Sequence, residues 1–182
     1  MIKVNLNKYN NVNYKAGSKI KLIIWYFINQ TIIKNKFLPF SALKKFFLQI
    51  FGAKIGREVV LKPGISVKYP WKLEVGDFSW IGEDVWIDNL DFVHIQDNVC
   101  ISQGAMLLCG NHNYKKKYFD LIIKPIKIKS GAWVGAKSIV CPGVTLNSHS
   151  VLSVSSVATN DLEAYAIYSG NPAQKIRIRK II

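Results

Sequence analysis

With 182 residues, 49% of them hydrophobic and 20% charged, the chain is long enough for one compact domain with an appended segment and too apolar to be disordered throughout. Its formal charge of +14 is gathered at the ends: residues 1–57 hold ten Lys and one Arg with no acid before Glu58, and after Glu163 the charged residues are Lys175, Arg177, Arg179 and Lys180. Such ends attract anions, and Cys100, Cys109 and Cys141, odd in number and without zinc or disulfide-framework spacing, exclude a disulfide-held scaffold and fit reduced thiols in the cytosol.

The first segment, residues 1–54, is basic and partly helical. Met1 to Lys19 lacks the apolar core of a signal peptide, and Leu22 to Ile28 is far shorter than the roughly 20 residues of a spanning helix. A soluble or peripheral cytoplasmic protein is expected. Two helical stretches are predicted within residues 18–52, broken near Pro39, with Ser41 as cap of the second. That second stretch places Leu43, Phe46, Phe47 and Ile50 near one face with Lys44 and Lys45 beside them. The segment could close the open edge of whatever follows. It could also rest on anionic lipid with Trp25, Tyr26, Phe46 and Phe47 down and lysines outward.

Residues 55–160 carry a six-residue period. Aliphatics recur at Ile55, Leu61, Val67 and Leu73, and after a slip of two residues at Val75, Ile81, Ile87 and Val93. A second slip gives Ile95, Ile101 and Leu107, and the series resumes at Ile128, Val134, Val140, Leu146 and Leu152. Small or β-branched residues stand four places later, at Ser79, Val85, Val99, Ala105, Ala132, Ser138, Val144, Ser150 and Ser156. A helix would scatter such a set around its circumference, and simple strand alternation does not favour every sixth residue. Short strands separated by corners do, three to a triangular coil, with coils stacked at the spacing of paired strands, about 4.8 Å. The fold class is therefore all-β: a parallel β-helix with a helical N-terminal segment. Trp71 breaks the rule at a position that wants a small side chain, and Trp80, Trp86 and Phe92 are expected to point outward, toward sugar rings or a neighbouring subunit.

Residues 108–127, which begin LCGNHNYKKKYFD, have no hexad and read as a loop thrown out from one coil. Residues 161–182 form a C-terminal extension.

The repeats, GNHNY at 110–114, GAWVGAKSIVCPGV at 131–144 and YSGNPA at 168–173 together resemble the hexapeptide-repeat acyltransferases. Within them, FGAKIG at 51–56, YPWKLEVGDFSWIGEDVWIDNL at 69–90 and NHNYKK are similar to the branch acting in colanic acid and capsule polysaccharide synthesis. The resemblance covers roughly residues 50–180. It implies a left-handed coil, a homotrimer with active sites at subunit boundaries, and acetyl transfer from acetyl-CoA to the hydroxyl of a sugar or lipid-linked sugar.

A hydroxyl needs a base, and imidazole suits that task. His94 and His149 lie within the repeat on the expected outer wall; His112 lies in the loop and matches the family's catalytic position. Asp88 matches a position near the acceptor, where it would bind a sugar hydroxyl, orient His112, or serve as a corner residue. Asn89 is a weaker version of the same match, and Asn111 and Asn113 would fix the loop or meet the acceptor. For the cofactor, the resemblance implies Trp133 beside the CoA arm, with Gly135 and Ala136 where pantetheine runs close to backbone. It further implies Ser153, Val154, Thr159 and Asn160 along the coil, although many relatives carry Gly at the first, Ala at the second and Lys at the last. Asn171, Pro172 and Ala173 match the turn beside adenine, with Lys175 and Arg177 toward the phosphates. No metal is expected, because His112 has no second His nearby. The competing reading is a non-enzymatic basic scaffold for membrane or another anionic partner; no nucleic-acid module is present to make that partner nucleic acid.

Overall fold

In a computed structural model describing residues 2–182, the sixteen aliphatics of the hexad from Ile55 to Leu152 all turn inward, none more than 8% exposed. The nine small or β-branched residues that follow them are buried as well. Coil one is built from β1 (Lys54–Ile55), β2 (Val60–Leu61) and β3 (Ser66–Val67). Coil two comprises β4 (Leu73–Val75), β5 (Trp80–Ile81) and β6 (Trp86–Asp88); coil three comprises β7 (Val93–Ile95), β8 (Cys100–Ile101) and β9 (Met106–Leu108). A hairpin of β10 (Gly110–His112) and β11 (Leu121–Ile123) then leaves the stack. Coil four follows with β12 (Ile126–Ile128), β13 (Trp133–Val134) and β14 (Ile139–Val140), and coil five with β15 (Thr145–Leu146), β16 (Val151–Leu152) and β17 (Val157–Ala158). A partial sixth turn is made by the bridge from Leu146 to Leu162 and by β18 (Ala166–Gly170), against which β19 (Ala173–Ile178) returns antiparallel.

Corresponding strands pair in parallel as three walls, β1-β4-β7-β12-β15, β2-β5-β8-β13-β16-β18 and β3-β6-β9-β14-β17, here called the first, second and third walls. The registers explain the slips. Glu74 pairs with Lys54 and with His94, so coils one to three advance by twenty residues, whereas Trp133 pairs with Val151, an advance of eighteen. The two additional residues sit on the first wall, where β4 and β7 each turn two aliphatics inward, Leu73 with Val75 and Val93 with Ile95. At β12 the partner of Ile128 is Ile126, equally buried though outside the hexad series.

The lower edge of coil one is closed by the N-terminal segment, α1 (Lys19–Ile28), a π-helical turn Asn29–Ile33, and α2 (Ser41–Ile50). An open coil edge presents backbone donors and acceptors with no strand to meet them. Here side chains meet them. Trp25 Nε1 donates to the Val67 carbonyl at 2.8 Å, Asn29 Oδ1 accepts from Val67 N–H, Ser41 Oγ accepts from Leu61 N–H, and Gln49 donates to the Ile55 carbonyl. The inner side of the segment thus caps the coil.

Three expectations need correction. Ser41 is not the N-cap of α2; Phe40 holds that place, and the Ser41 hydroxyl is drawn to the coil edge instead. The face of α2 that packs inward is Lys44 with Leu48, and Phe47 packs partly against the core, while Phe46 and Ile50 face away. Lys44 Nζ reaches the carbonyls of Ile32 and Ile33 at 2.9 and 2.8 Å, the groups left over at the end of the π turn. Trp71, for its part, does not enter the coil interior. A 3-10 turn, Pro70–Lys72, swings it outward to stack on Tyr69 and donate to the Ala16 carbonyl.

Candidate active site

The loop departs between β9 on the third wall and β12 on the first, at the corner opposite the second wall. It is an ordered hairpin: His112 pairs with Leu121, and Asn113 N–H donates to the Asp120 carbonyl at 2.8 Å. Local side-chain bonds tighten it. Asn111 Oδ1 accepts from His112 N–H, Asn113 Oδ1 accepts from Lys115 N–H, and Lys116 pairs with Asp120. Of the two roles open to Asn111 and Asn113, their amide oxygens serve the loop-fixing one.

His112 Nδ1 lies 2.8 Å from the carbonyl oxygen of Phe119. A carbonyl can only accept, so Nδ1 carries the proton and the lone pair stands on Nε2. The ring is fixed from two sides by aromatics, Phe119 at 5.7 Å and Tyr9 edge-on at 5.5 Å between centroids. Tyr9 belongs to an N-terminal arm laid across the hairpin, where Asn5 N–H donates to the Lys117 carbonyl. Between Asn10–Tyr14 of that arm and Asp120, Leu121 and Ile123 opens a cleft of about 510 Å³. Tyr14 is anchored at its base, donating its hydroxyl to the Leu90 carbonyl, and burial pushes its ionisation above the usual tyrosine range, so it remains a neutral donor. Neither Tyr9 nor the Phe119 carbonyl was identified from sequence. A lone aromatic in a polar arm carries no pattern, and a backbone acceptor has no residue signature.

Asp88 lies one coil below the root of the loop, paired in register with Leu108, and its carboxylate is held by Lys68 at 2.8 Å. The group orienting His112 is Phe119, not Asp88. Asn89 is fully buried, and both ends of its amide close on one residue: Oδ1 accepts from Tyr69 N–H at 2.9 Å and Nδ2 donates to the Tyr69 carbonyl at 2.6 Å. No polar atom of that side chain is left for an acceptor, so Asn89 belongs to the scaffold.

The cofactor candidates divide between two places. On the second wall and its corner with the third, a groove of about 590 Å³ is lined by Trp133, Gly135, Ala136, Ser153, Val154 and Arg177, together with Ser102, Gln103, Ile167 and Arg179. Trp133 is fixed by donating Nε1 to Ser102 Oγ at 2.9 Å. Gly135 lines the groove, yet its smallness has another cause: a Cβ there would lie 2.6 Å from Val154 N and 2.7 Å from Leu152 O. Gly82, at the same corner two coils earlier, is pressed against Gln103 N in the same way. Stacking of coils, rather than a ligand, requires glycine at both. Thr159 and Asn160, hydrogen-bonded to one another, lie after β17 on the corner that carries the loop. Asn171 and Pro172 form the β18–β19 turn, and Ala173 opens β19 opposite Gly170.

A register shift at Ile167/Tyr168 places Lys175 opposite Tyr168 and Arg177 opposite Ile167. Arg177 and Arg179 therefore border the groove, whereas Lys175 is tied to Glu163 at 2.5 Å. Arg179 was missed; its spacing of two from Arg177 on a strand was the available signal. Trp80, Trp86 and Phe92 do point outward, but each from a different side of the coil, so they form no single platform. Among the described residues, no three His, Cys, Asp or Glu side chains gather into a metal site.

No family model matches the chain. It is 34% identical over 166 residues to the Escherichia coli K12 protein named as colanic acid biosynthesis acetyltransferase WcaF, an alignment covering 91% of each chain. Its fold is similar to that of a maltose O-acetyltransferase from Clostridium difficile 630, with a TM-score of 0.82, 19% identity and 92% of each chain covered. A hexapeptide-repeat acetyltransferase from Vibrio cholerae O1 biovar eltor, complexed with acetyl coenzyme A, matches with a TM-score of 0.76 and 21% identity over 88% of this chain and 86% of that one. The coil is the left-handed parallel β-helix of such proteins.

Proposed function

Because the chain belongs to the hexapeptide-repeat acetyltransferases, we propose that it transfers an acetyl group from acetyl-CoA to a hydroxyl of a sugar or lipid-linked sugar in exopolysaccharide or capsule synthesis, with His112 as general base. The observation that carries this reading is the bond from His112 Nδ1 to the Phe119 carbonyl, which leaves the Nε2 lone pair of this exposed residue free to accept a proton. In the reaction, Nε2 takes the proton of the acceptor hydroxyl as its oxygen attacks the thioester carbonyl. When the tetrahedral intermediate collapses, the C–S bond breaks and the imidazolium returns the proton to the CoA thiolate.

The groove on the second wall suits the cofactor. It is mostly apolar, flanked by an indole, and bordered by Arg177 and Arg179, which supply cations for phosphates. His112, Thr159 and Asn160 stand on the opposite corner of the same prism, so one chain by itself keeps base and groove apart. A homotrimer resolves this. Three-fold rotation sets the loop corner of one protomer against the second wall of the next, a head-to-tail contact that closes on itself. The cleft beside His112, lined by the amides of Asn10, Asn11 and Asn13, supports an acceptor rich in hydroxyls. Family membership displaces the scaffold reading, which has no use for an oriented imidazole.

The test is a mass-spectrometric screen of acetyl-CoA against candidate sugars and sugar-lipid intermediates, paired with thermal-shift titration by CoA. An acetylated product and concentration-dependent stabilisation are expected. Absence of both would reject the assignment.

A further inference from the structure

We infer that the outer face of the N-terminal cap is a docking surface for an anionic lipid bilayer. A surface helix normally buries its apolar side and shows water the other. In α1 the side turned to coil one holds Trp25, continued by Asn29 at the start of the π turn, both buried. At roughly 100° per residue, Ile20, Ile23 and Phe27 fall on the opposite side. They are 71%, 60% and 60% exposed. The same inversion recurs in α2, where Lys44 and Leu48 face the coil while Phe46 and Ile50 face away. Phe37, in the connection between the helices, is 92% exposed. Two consecutive helices thus present aromatic and aliphatic side chains away from the protein that they cap.

Charge selects the occupant. The segment contains no Asp or Glu, and Lys15, Lys19 and Lys34 are exposed without an acidic partner among the described residues. A second copy laid on this face would set lysine against lysine. A bilayer bearing anionic headgroups supplies both halves of the complement, acyl chains for the phenylalanines and isoleucines and phosphates for the lysines. The helices are too short to span and would lie in the interfacial plane; among the described residues no helix is long and apolar enough to cross a membrane. The inference does not depend on acetyl transfer. A trimer with parallel coil axes would add to it by turning three caps toward one plane.

The test is co-sedimentation of the full-length protein with vesicles of phosphatidylcholine alone, or with about one-third phosphatidylglycerol. Binding is expected to the anionic vesicles, weak binding to the neutral ones, and release at high salt. The triple substitution Ile20→Ser, Ile23→Ser and Phe27→Ser should lower the partition constant about tenfold or more. Its far-ultraviolet circular dichroism, sedimentation velocity and stabilisation by CoA should match the wild type, so a failure here is separable from a failure of the enzymatic reading. Wild-type protein that ignores anionic vesicles would overturn the inference. So would a triple variant that partitions undiminished, or one that splits an assembly, which would make this face a contact between copies.

Discussion

The carbonyl oxygen of Phe119 and the Nδ1 of His112 stand 2.8 Å apart across the turn of an excursion hairpin, and that bond decides which nitrogen of the ring can act. Phe119 reaches this position with a φ of 54°, a left-handed conformation uncommon for a bulky residue. The hairpin therefore holds backbone strain at the point where it aims its acceptor at the imidazole.

His112→Ala removes the base and leaves the groove on the opposite side of the coil untouched. Steady-state transfer should fall by about 10² or more, while the CoA-induced thermal shift stays as in the wild type. A variant that retained near-full turnover would mean a different base.

The coil was legible residue by residue, because burial repeats with the chain's own geometry: Ile81, Ile101 and Val134 fill one wall in register, and each was visible as a sixth residue. His112 was legible as a loop histidine. What escaped was whatever a backbone group determines. Lys44 is buried because two carbonyls at the end of the π turn need a donor, and amphipathic patterning sends a lysine outward. Asn89 is clasped by the backbone of Tyr69, twenty residues away in sequence and one coil away in space. Lys175 and Arg177 looked equivalent until the bulge at Ile167/Tyr168 placed them on different faces.

That bulge makes a prediction. Arg177→Ala should weaken CoA binding roughly five- to tenfold in isothermal titration, with a loss that shrinks at high salt. Lys175→Ala should change affinity less than about twofold, because its ammonium is already committed to Glu163. Equal losses at both positions would place the phosphates elsewhere.

Asn89→Ala separates a scaffold role from a substrate role. Removing the amide orphans the N–H and the carbonyl of Tyr69 within the stack, a cost of about 2–3 kcal/mol. The melting temperature should fall by several degrees while the KM for the acceptor is unchanged. A raised KM without loss of stability would return Asn89 to the acceptor site.

Cys109 is fully buried at the root of the loop, and burial pushes its thiol up to about 12. Alkylation requires thiolate, so at pH 8 the native protein should leave Cys109 unmodified by iodoacetamide and label it once unfolded in urea. Peptide mass spectrometry reads both states. Rapid native labelling would show that the loop opens from its root.

Lys44 lies under the cap with no acidic partner among the described residues, its ammonium bonded to the Ile32 and Ile33 carbonyls, and burial holds its pKa below the ordinary lysine range. Lys44→Ala should cost about 2–4 kcal/mol, from a cavity together with two orphaned carbonyls. The pH dependence has a definite sign. A base whose native pKa is depressed binds fewer protons folded than unfolded, in the window between its lowered native value and its ordinary one. Across that alkaline window this residue makes stability rise with pH; below it, both states are protonated and the contribution is flat. Urea unfolding of wild type and Lys44→Met from pH 7 to pH 10 should therefore diverge, with the wild type gaining on the variant as pH climbs. Parallel curves would mean that the ammonium reaches water through the cap.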